Sequence, residues 1–287
     1  MNGSVVVGLD GTAESAQAAE WAAREALLRE THVHLVHAEE PPPAATVPLV
    51  SADVQRQWAE SLLSTTAAAL RERHPGLSVT TRLLPGGAVS SLVAVGDEAE
   101  LLVLGSRALG GVAGFVVGSV GLATVALVER PVVMVRAGDM PGAGGPHGAV
   151  VVGVDVEQPG DAVLGFAFEE AARHGSAVRA LHAQQLPLYL GLGPLVTSDP
   201  RLTVAGEIER TLAAMLEPWR AKYPEVEATS RLIVGSAGQE LVREAAAADL
   251  VVVGRRTRRS SLGPHLGHVA HAVLHHSRAP VAVVAHD

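Results

Sequence analysis

Leu101 to Arg136 reads LLVLGSRALGGVAGFVVGSVGLATVALVERPVVMVR. An apolar run ends at Gly105, an Arg- and Gly-rich loop follows, Gly118-Ser119 opens an apolar helical segment, and Pro131 introduces a second apolar run. That order predicts strand, loop, helix, strand. In a parallel βαβ unit such a loop lies at the carboxyl end of its strand. The next helix aims its unsatisfied N–H groups at the loop, which is where open α/β sheets bind anionic ligands. The stretch is therefore expected to be a phosphate-binding loop.

Working outward from it, the chain repeats itself. SVVVGLDG near the start recurs as AVVVGVDV at Ala149 to Val156, so Gly8 and Asp10 map onto Gly153 and Asp155, and Leu35-Val36-His37-Ala38 maps onto Ala180-Leu181-His182-Ala183. Further on, Gly105, Gly118 and Pro131 map onto Gly254, Gly267 and Pro280. Two homologous domains are predicted, 1–138 and 147–287, joined by the Gly- and Pro-rich Ala137 to Gly148. Within the first, strands are expected at Ser4 to Leu9, Val33 to Ala38, Ser78 to Leu84, Leu101 to Gly105 and Val132 to Arg136. Helices are expected at Glu14 to Glu30, Asp53 to Arg73, Ala88 to Asp97 and Val117 to Val128, with Thr12 or Ser15 capping the first and Ser119 the last. Strict alternation with nearly all-apolar strands predicts an α/β fold, a parallel sheet covered by helices on both faces. Glu39 to Leu49 and Gln184 to Pro200 read as long loops, either lids or plain connections.

Composition narrows the function classes. Residues 1–138 carry 9 Arg against 14 acids and 147–287 carry 13 basic residues against 15 acids, so neither half has the basic surplus that recruits nucleic acid. No apolar run approaches the roughly 18 residues that span a bilayer, and no basic n-region opens the chain, so a cytoplasmic protein without membrane insertion is expected. Zero cysteines exclude thiolate metal sites and cysteine nucleophiles. Of the 22 basic residues only Lys222 is a lysine. Phosphates must therefore meet Arg, hydroxyls and backbone N–H groups, since a Walker-type loop needs its lysine.

Three groups should converge at the carboxyl edge of the first sheet. Gly8, Asp10, Gly11 and Thr12 end the first strand, the Gly86-Gly87-Ala88 turn follows the third, and Gly105-Ser106-Arg107-Ala108 through Gly118-Ser119-Val120 follows the fourth. An Asp there either accepts hydroxyl hydrogen bonds, as from a ribose, or serves as a turn or cap residue. The Gly loop either lets a phosphate approach the backbone or is a tight turn.

VVVGLDGTAESAQAAEWAAREA, the GSRALGGVAGFVVGSVG loop and the ERPVVMVR ending together resemble the universal stress protein family in its tandem-domain form. The resemblance covers essentially the whole chain. It implies a five-stranded parallel Rossmann-like sheet in each domain, of strand order 3-2-1-4-5, and homodimerisation. In one subgroup it implies ATP binding through G-x2-G-x9-G-[ST]. Gly105, Gly118 and Ser119 match that pattern, whereas Ala108 stands where its second Gly is expected. Asp10 and the Gly86 turn match the family's ribose and adenine contacts. ATP is the implied ligand, with ADP or AMP as variants and Mg²⁺ as a companion of ATP.

The second domain departs further. Gly254 and Gly267 remain, but Thr257 and His268 replace the second Gly and the final Ser, and Val156 follows Asp155 where Gly11 follows Asp10. Asp155, Gly235, Gly254, Arg255 and Gly267 are the counterpart candidates. Arg255, Arg256, Arg258 and Arg259 form either an alternative phosphate clamp or a solvated basic loop. His268, His271 and His275 share a helix face, which suits a polar surface better than a metal site, because no carboxylate accompanies them. His37 and His182 read as satisfied interior histidines. With no GxSxG elbow and no paired carboxylates, an enzyme is not expected. The resulting expectation is a nucleotide-binding regulatory protein with a protein partner. Its rivals are a nucleotide-free scaffold and a slow ATPase.

Overall fold

A computed structural model describes residues 3–39, 51–106, 118–136, 148–184, 200–257 and 266–287. The chain divides into two compact units, residues 1–139 and residues 140–258 with 266–287. In the first, the order is β1 (Ser4–Gly8), α1 (Ala13–Leu28), β2 (His32–Glu39), α2 (Ala52–Arg73), β3 (Val79–Pro85), α3 (Ala88–Glu98), β4 (Leu101–Ser106), α4 (Ser119–Leu127) and β5 (Val132–Arg136). The second repeats it as β6 (Ala149–Gly153), α5 (Asp161–His174), β7 (Ala177–Gln184), α6 (Pro200–Lys222), β8 (Ala228–Val234), α7 (Ala237–Glu244), β9 (Leu250–Arg256), α8 (His268–His276) and β10 (Val281–His286). Each first-unit element lies within two residues of its expected bounds, the ordinary scatter of element ends.

All pairings within each unit are parallel. In the first they give the order β3-β2-β1-β4-β5, and in the second β8-β7-β6-β9-β10. The inner strands β1 and β4 are nearly all apolar because both faces are covered, whereas the edge strand β3 exposes Thr80, Thr81 and Arg82. Val5, Val6 and Val7 alternate sides yet all are buried, as are Leu101 to Leu104. On the first sheet α1 packs with α2, and α3 packs with α4; α5 with α6 and α7 with α8 do the same on the second. Among the described residues no helix is long and apolar enough to cross a membrane.

Register places the site. Gly8, the last residue of β1, lies opposite Val36 of β2 on one side and Leu104 of β4 on the other. The order changes direction across β1 and β4, so the loops leaving them diverge and open a crevice at the carboxyl edge. The linker, residues 40–50 and 185–199, and the loop segments 107–117 and 258–265 lie outside the described residues, and with them Arg107, Ala108, Arg258 and Arg259.

Candidate nucleotide site

At that crevice the first unit encloses a cavity of about 810 Å³, within the 300–1,000 Å³ typical of small-molecule sites. Gly8, Asp10, Gly86, Ala88, Gly105, Gly118, Ser119 and Val120 line it, so eight of the sequence-derived positions from three separate loops meet in one place. Gly11, Thr12 and Ser106 do not line it, and each has another task.

Thr12 is the N-cap of α1, accepting from the Ser15 N–H at 3.2 Å through its hydroxyl oxygen. It also donates its own N–H (3.0 Å) and hydroxyl (2.5 Å) to Asp10 Oδ1. Asp10 thus holds the β1–α1 turn and faces the cavity at once. The two sequence alternatives, turn residue and ligand contact, are not exclusive, because a carboxylate offers about four lone-pair sites. Ser106 is buried, and its hydroxyl donates to the Val135 carbonyl at 3.3 Å, which ties β4 to β5. Gly11 has φ +80°, and a Cβ there would sit 2.7 Å from the Trp58 indole. Gly105 lies against the start of α1: a Cβ would come within 2.6 Å of the backbone of Glu14 and Ser15.

The start of α4 forms another wall. Its N-cap is Gly118, with no side-chain cap, which corrects the expectation that Ser119 caps the helix; Ser119 is instead the first helical residue. Ser119, Val120 and Gly121 carry N–H groups without intrahelical acceptors, and all three line the cavity. No acidic residue lies in the first turn, so nothing there offsets the partial positive charge of the helix end. At the opposite end, Gly86 turns the chain out of β3 with φ +101°.

Sequence reasoning missed one wall entirely. The first two turns of α2 supply Gln55, Arg56 and Trp58, and the end of β2 supplies His37 and Glu39. Arg56 pairs with Glu39 at 3.4 Å. His37 is the satisfied histidine expected, its Nδ1 donating to the Leu9 carbonyl at 2.7 Å. The signal available for α2 was its own periodicity. Ala59, Leu63, Ala67 and Leu70 are its buried stripe, and Trp58 is a large apolar residue lying off it.

The second unit keeps the frame and fills the edge. His182 Nδ1 donates to the Val154 carbonyl at 2.9 Å, Gly235 turns with φ +151°, and Gly267 is an uncapped N-cap of α8, as at His37, Gly86 and Gly118. Asp155, however, pairs with Arg256 at 3.0 Å, and a Cβ on Gly254 would sit 2.6 Å from His286 Nε2. Thr257 donates its N–H to the His286 carbonyl at 2.7 Å and its hydroxyl to Asp287 Oδ1 at 2.9 Å. Arg255 is buried. Of the four arginines read as a clamp or a solvated loop, Arg256 is engaged by Asp155 and Arg255 is buried, while Arg258 and Arg259 lie outside the described residues. On α8, His271 and His275 have ring centroids 4.3 Å apart. Burial, then the charges of His275 and His276, hold the His271 pKa below the ordinary histidine value.

The family model of the universal stress protein family matches residues 1–136 and again 147–285. A universal stress protein of Mycobacterium tuberculosis (strain ATCC 25618 / H37Rv) is 33% identical over 286 residues, covering 97% of this chain and 96% of its own. One of Mycolicibacterium smegmatis is 31% identical over 289 residues, covering 98% and 96%. Among solved structures, a universal stress protein from Archaeoglobus fulgidus DSM 4304 superposes with a TM-score of 0.75 over 99% of both chains at 16% identity, which speaks to the fold alone.

Proposed function

This chain belongs to the universal stress protein family, and we propose that its first unit binds an adenine nucleotide, ATP foremost, as a regulatory ligand. The observation that carries this reading is the 810 Å³ cavity on which Asp10, Gly86, Ala88, Gly105, Gly118 and Ser119 converge. Its two ends differ in the way a nucleotide requires. The α4 N-terminus offers neutral N–H donors and a positive dipole end to phosphates. Asp10, between the ends, accepts from ribose hydroxyls. The Gly86 to Ala88 turn and the apolar floor of Val36, Pro85 and Leu92 receive the base.

Among the described residues the cavity's carboxylates are Asp10 and Glu39, and Glu39 is engaged by Arg56. Mg²⁺ would accordingly enter with the triphosphate rather than be caged by the protein. Binding without turnover is part of the proposal, because the sequence carries neither a GxSxG elbow nor a Walker-type loop with its lysine. The second unit is a degenerate partner domain, and homodimerisation and a regulatory protein partner complete the reading. Calorimetry of ATP on the full chain tests it. Wild type binds one ATP per chain, and Asp10→Ala or Gly118→Val weakens binding. No heat with wild type, or equal heat with all three proteins, sinks the site as drawn. Phosphate release above the Gly118→Val control over hours replaces it with an ATPase.

A further inference from the structure

Resting on the nucleotide reading above, we infer that Trp58 is the aromatic platform on which the base stacks. Trp58 lines the cavity yet stays 50% exposed. It is not core filler, because the buried stripe of α2 runs through Ala59, Leu63, Ala67 and Leu70 and bypasses it.

The indole is nonetheless fixed. Its six-membered ring rests on the backbone of Gly11, where a Cβ would come within 2.7 Å of Cζ2 and 3.0 Å of Cη2. The His37 ring meets it edge-to-face, centroids 5.4 Å apart at 78°. His37 is itself anchored by its hydrogen bond to Leu9. A rigid, half-exposed aromatic surface at a cavity wall suits a planar heteroaromatic ring, since little side-chain freedom remains to be lost on binding.

The repeat supplies an independent comparison. At the 149-residue offset relating Gly86 to Gly235, Trp58 maps onto Glu207, and at the offset relating Asp10 to Asp155, Gly11 maps onto Val156. Tryptophan and its glycine seat occur together in the first unit and are lost together in the second. The Gly after Asp10 is thus the seat of the indole.

The test uses the full chain, Trp58→Leu and Trp58→Phe, with ATP and with tripolyphosphate as a base-free probe. Trp58→Leu binds ATP about 5- to 150-fold more weakly, the range of one base–aromatic stack, while Trp58→Phe stays within about threefold of wild type. Tripolyphosphate affinity is the same in all three proteins. ATP quenches wild-type tryptophan emission and leaves that of Trp58→Phe unchanged. ATP affinity of Trp58→Leu within about twofold of wild type overturns the platform while the nucleotide reading stands. A matching loss for tripolyphosphate also overturns it, by making Trp58 a prop for the phosphate end. Should Trp58→Leu fail to fold, equal quenching in wild type and Trp58→Phe overturns it alone. A wild type that binds no ATP removes the nucleotide reading itself.

Discussion

Replacing Gly105 with alanine tests how the site is coupled to the fold. The added methyl would lie 2.6 Å from the Glu14 carbonyl carbon and the Ser15 nitrogen and 2.8 Å from the Glu14 oxygen, whereas carbon contacts relax near 3.5–4.0 Å. The start of α1 must withdraw by about 1 Å, and backbone held by the Thr12 cap cannot rotate aside as a side chain can. Overpacking of this kind costs about 1–3 kcal/mol. At roughly 3–4 °C per kcal/mol for a unit of this size, the first unit melts about 3–12 °C lower. The same shift displaces the Asp10–Thr12 turn, so ATP affinity falls with stability. Gly254→Ala is the internal control, since its methyl would meet the His286 imidazole and Val163 Cγ2, side chains that can move. Its cost should be under half that of Gly105→Ala. Scanning calorimetry and ATP titration of both variants decide the matter. A Gly105→Ala protein melting within about 1 °C of wild type, or a Gly254→Ala protein that suffers more, refutes the reasoning.

Three further outcomes follow from the same geometry. Thr12→Ala removes the α1 cap and should cost about 1 kcal/mol by urea titration, with ATP binding weakened because Asp10 loses the Thr12 hydroxyl donor and keeps only the backbone N–H of residue 12. Arg256→Ala breaks an ion pair whose side chains are 35% and 48% exposed, so stability should move by less than about 1 kcal/mol; calorimetric stoichiometry should stay at one ATP per chain, because His286 still covers Gly254. His271 should titrate below the ordinary histidine value by NMR, and His275→Ala should raise its midpoint without restoring it fully, since burial is the larger cause. The neutral form is the one the fold favours, so this group's stability contribution is present above the unfolded pKa near 6.5 and is lost as pH falls through the lowered folded value. A midpoint unmoved in His275→Ala would remove the histidine–histidine term.

The sheet was legible because its inner strands β1 and β4 are buried on both faces, which writes Val5 to Val7 and Leu101 to Leu104 as unbroken apolar runs. The α4 wall of the cavity was legible because Gly118 and the helix start after it are adjacent in sequence, so local reading suffices. Thr12, Ser106 and Gly11 are chemically suited to a ligand but do not line the cavity: hydrogen bonds at a helix start and across a strand pair engage Thr12 and Ser106, and close contact with the Trp58 indole engages Gly11. The α2 wall was illegible because residues 55–58 reach the site only through the β2–α2 connection. Nothing local to Gln55, Arg56 or Trp58 encodes a distance to Asp10.

The tandem repeat separates what the fold requires from what a ligand requires. The histidine–carbonyl bond near the end of the second strand, the positive-φ glycine after the third and the uncapped, acid-free helix start after the fourth occur in both units. A feature kept in both units, one of them with its edge filled, cannot by itself mark a binding site. The differences are few and lie within one edge: Asp10 holds Thr12 whereas Asp155 holds Arg256, Gly254 lies beneath His286, and Trp58 on Gly11 gives way to Glu207 and Val156. If nucleotide binding resides in the first unit, these positions carry it. Rebuilding a second site would then require changing the acid's partner, the histidine cover and the indole seat together.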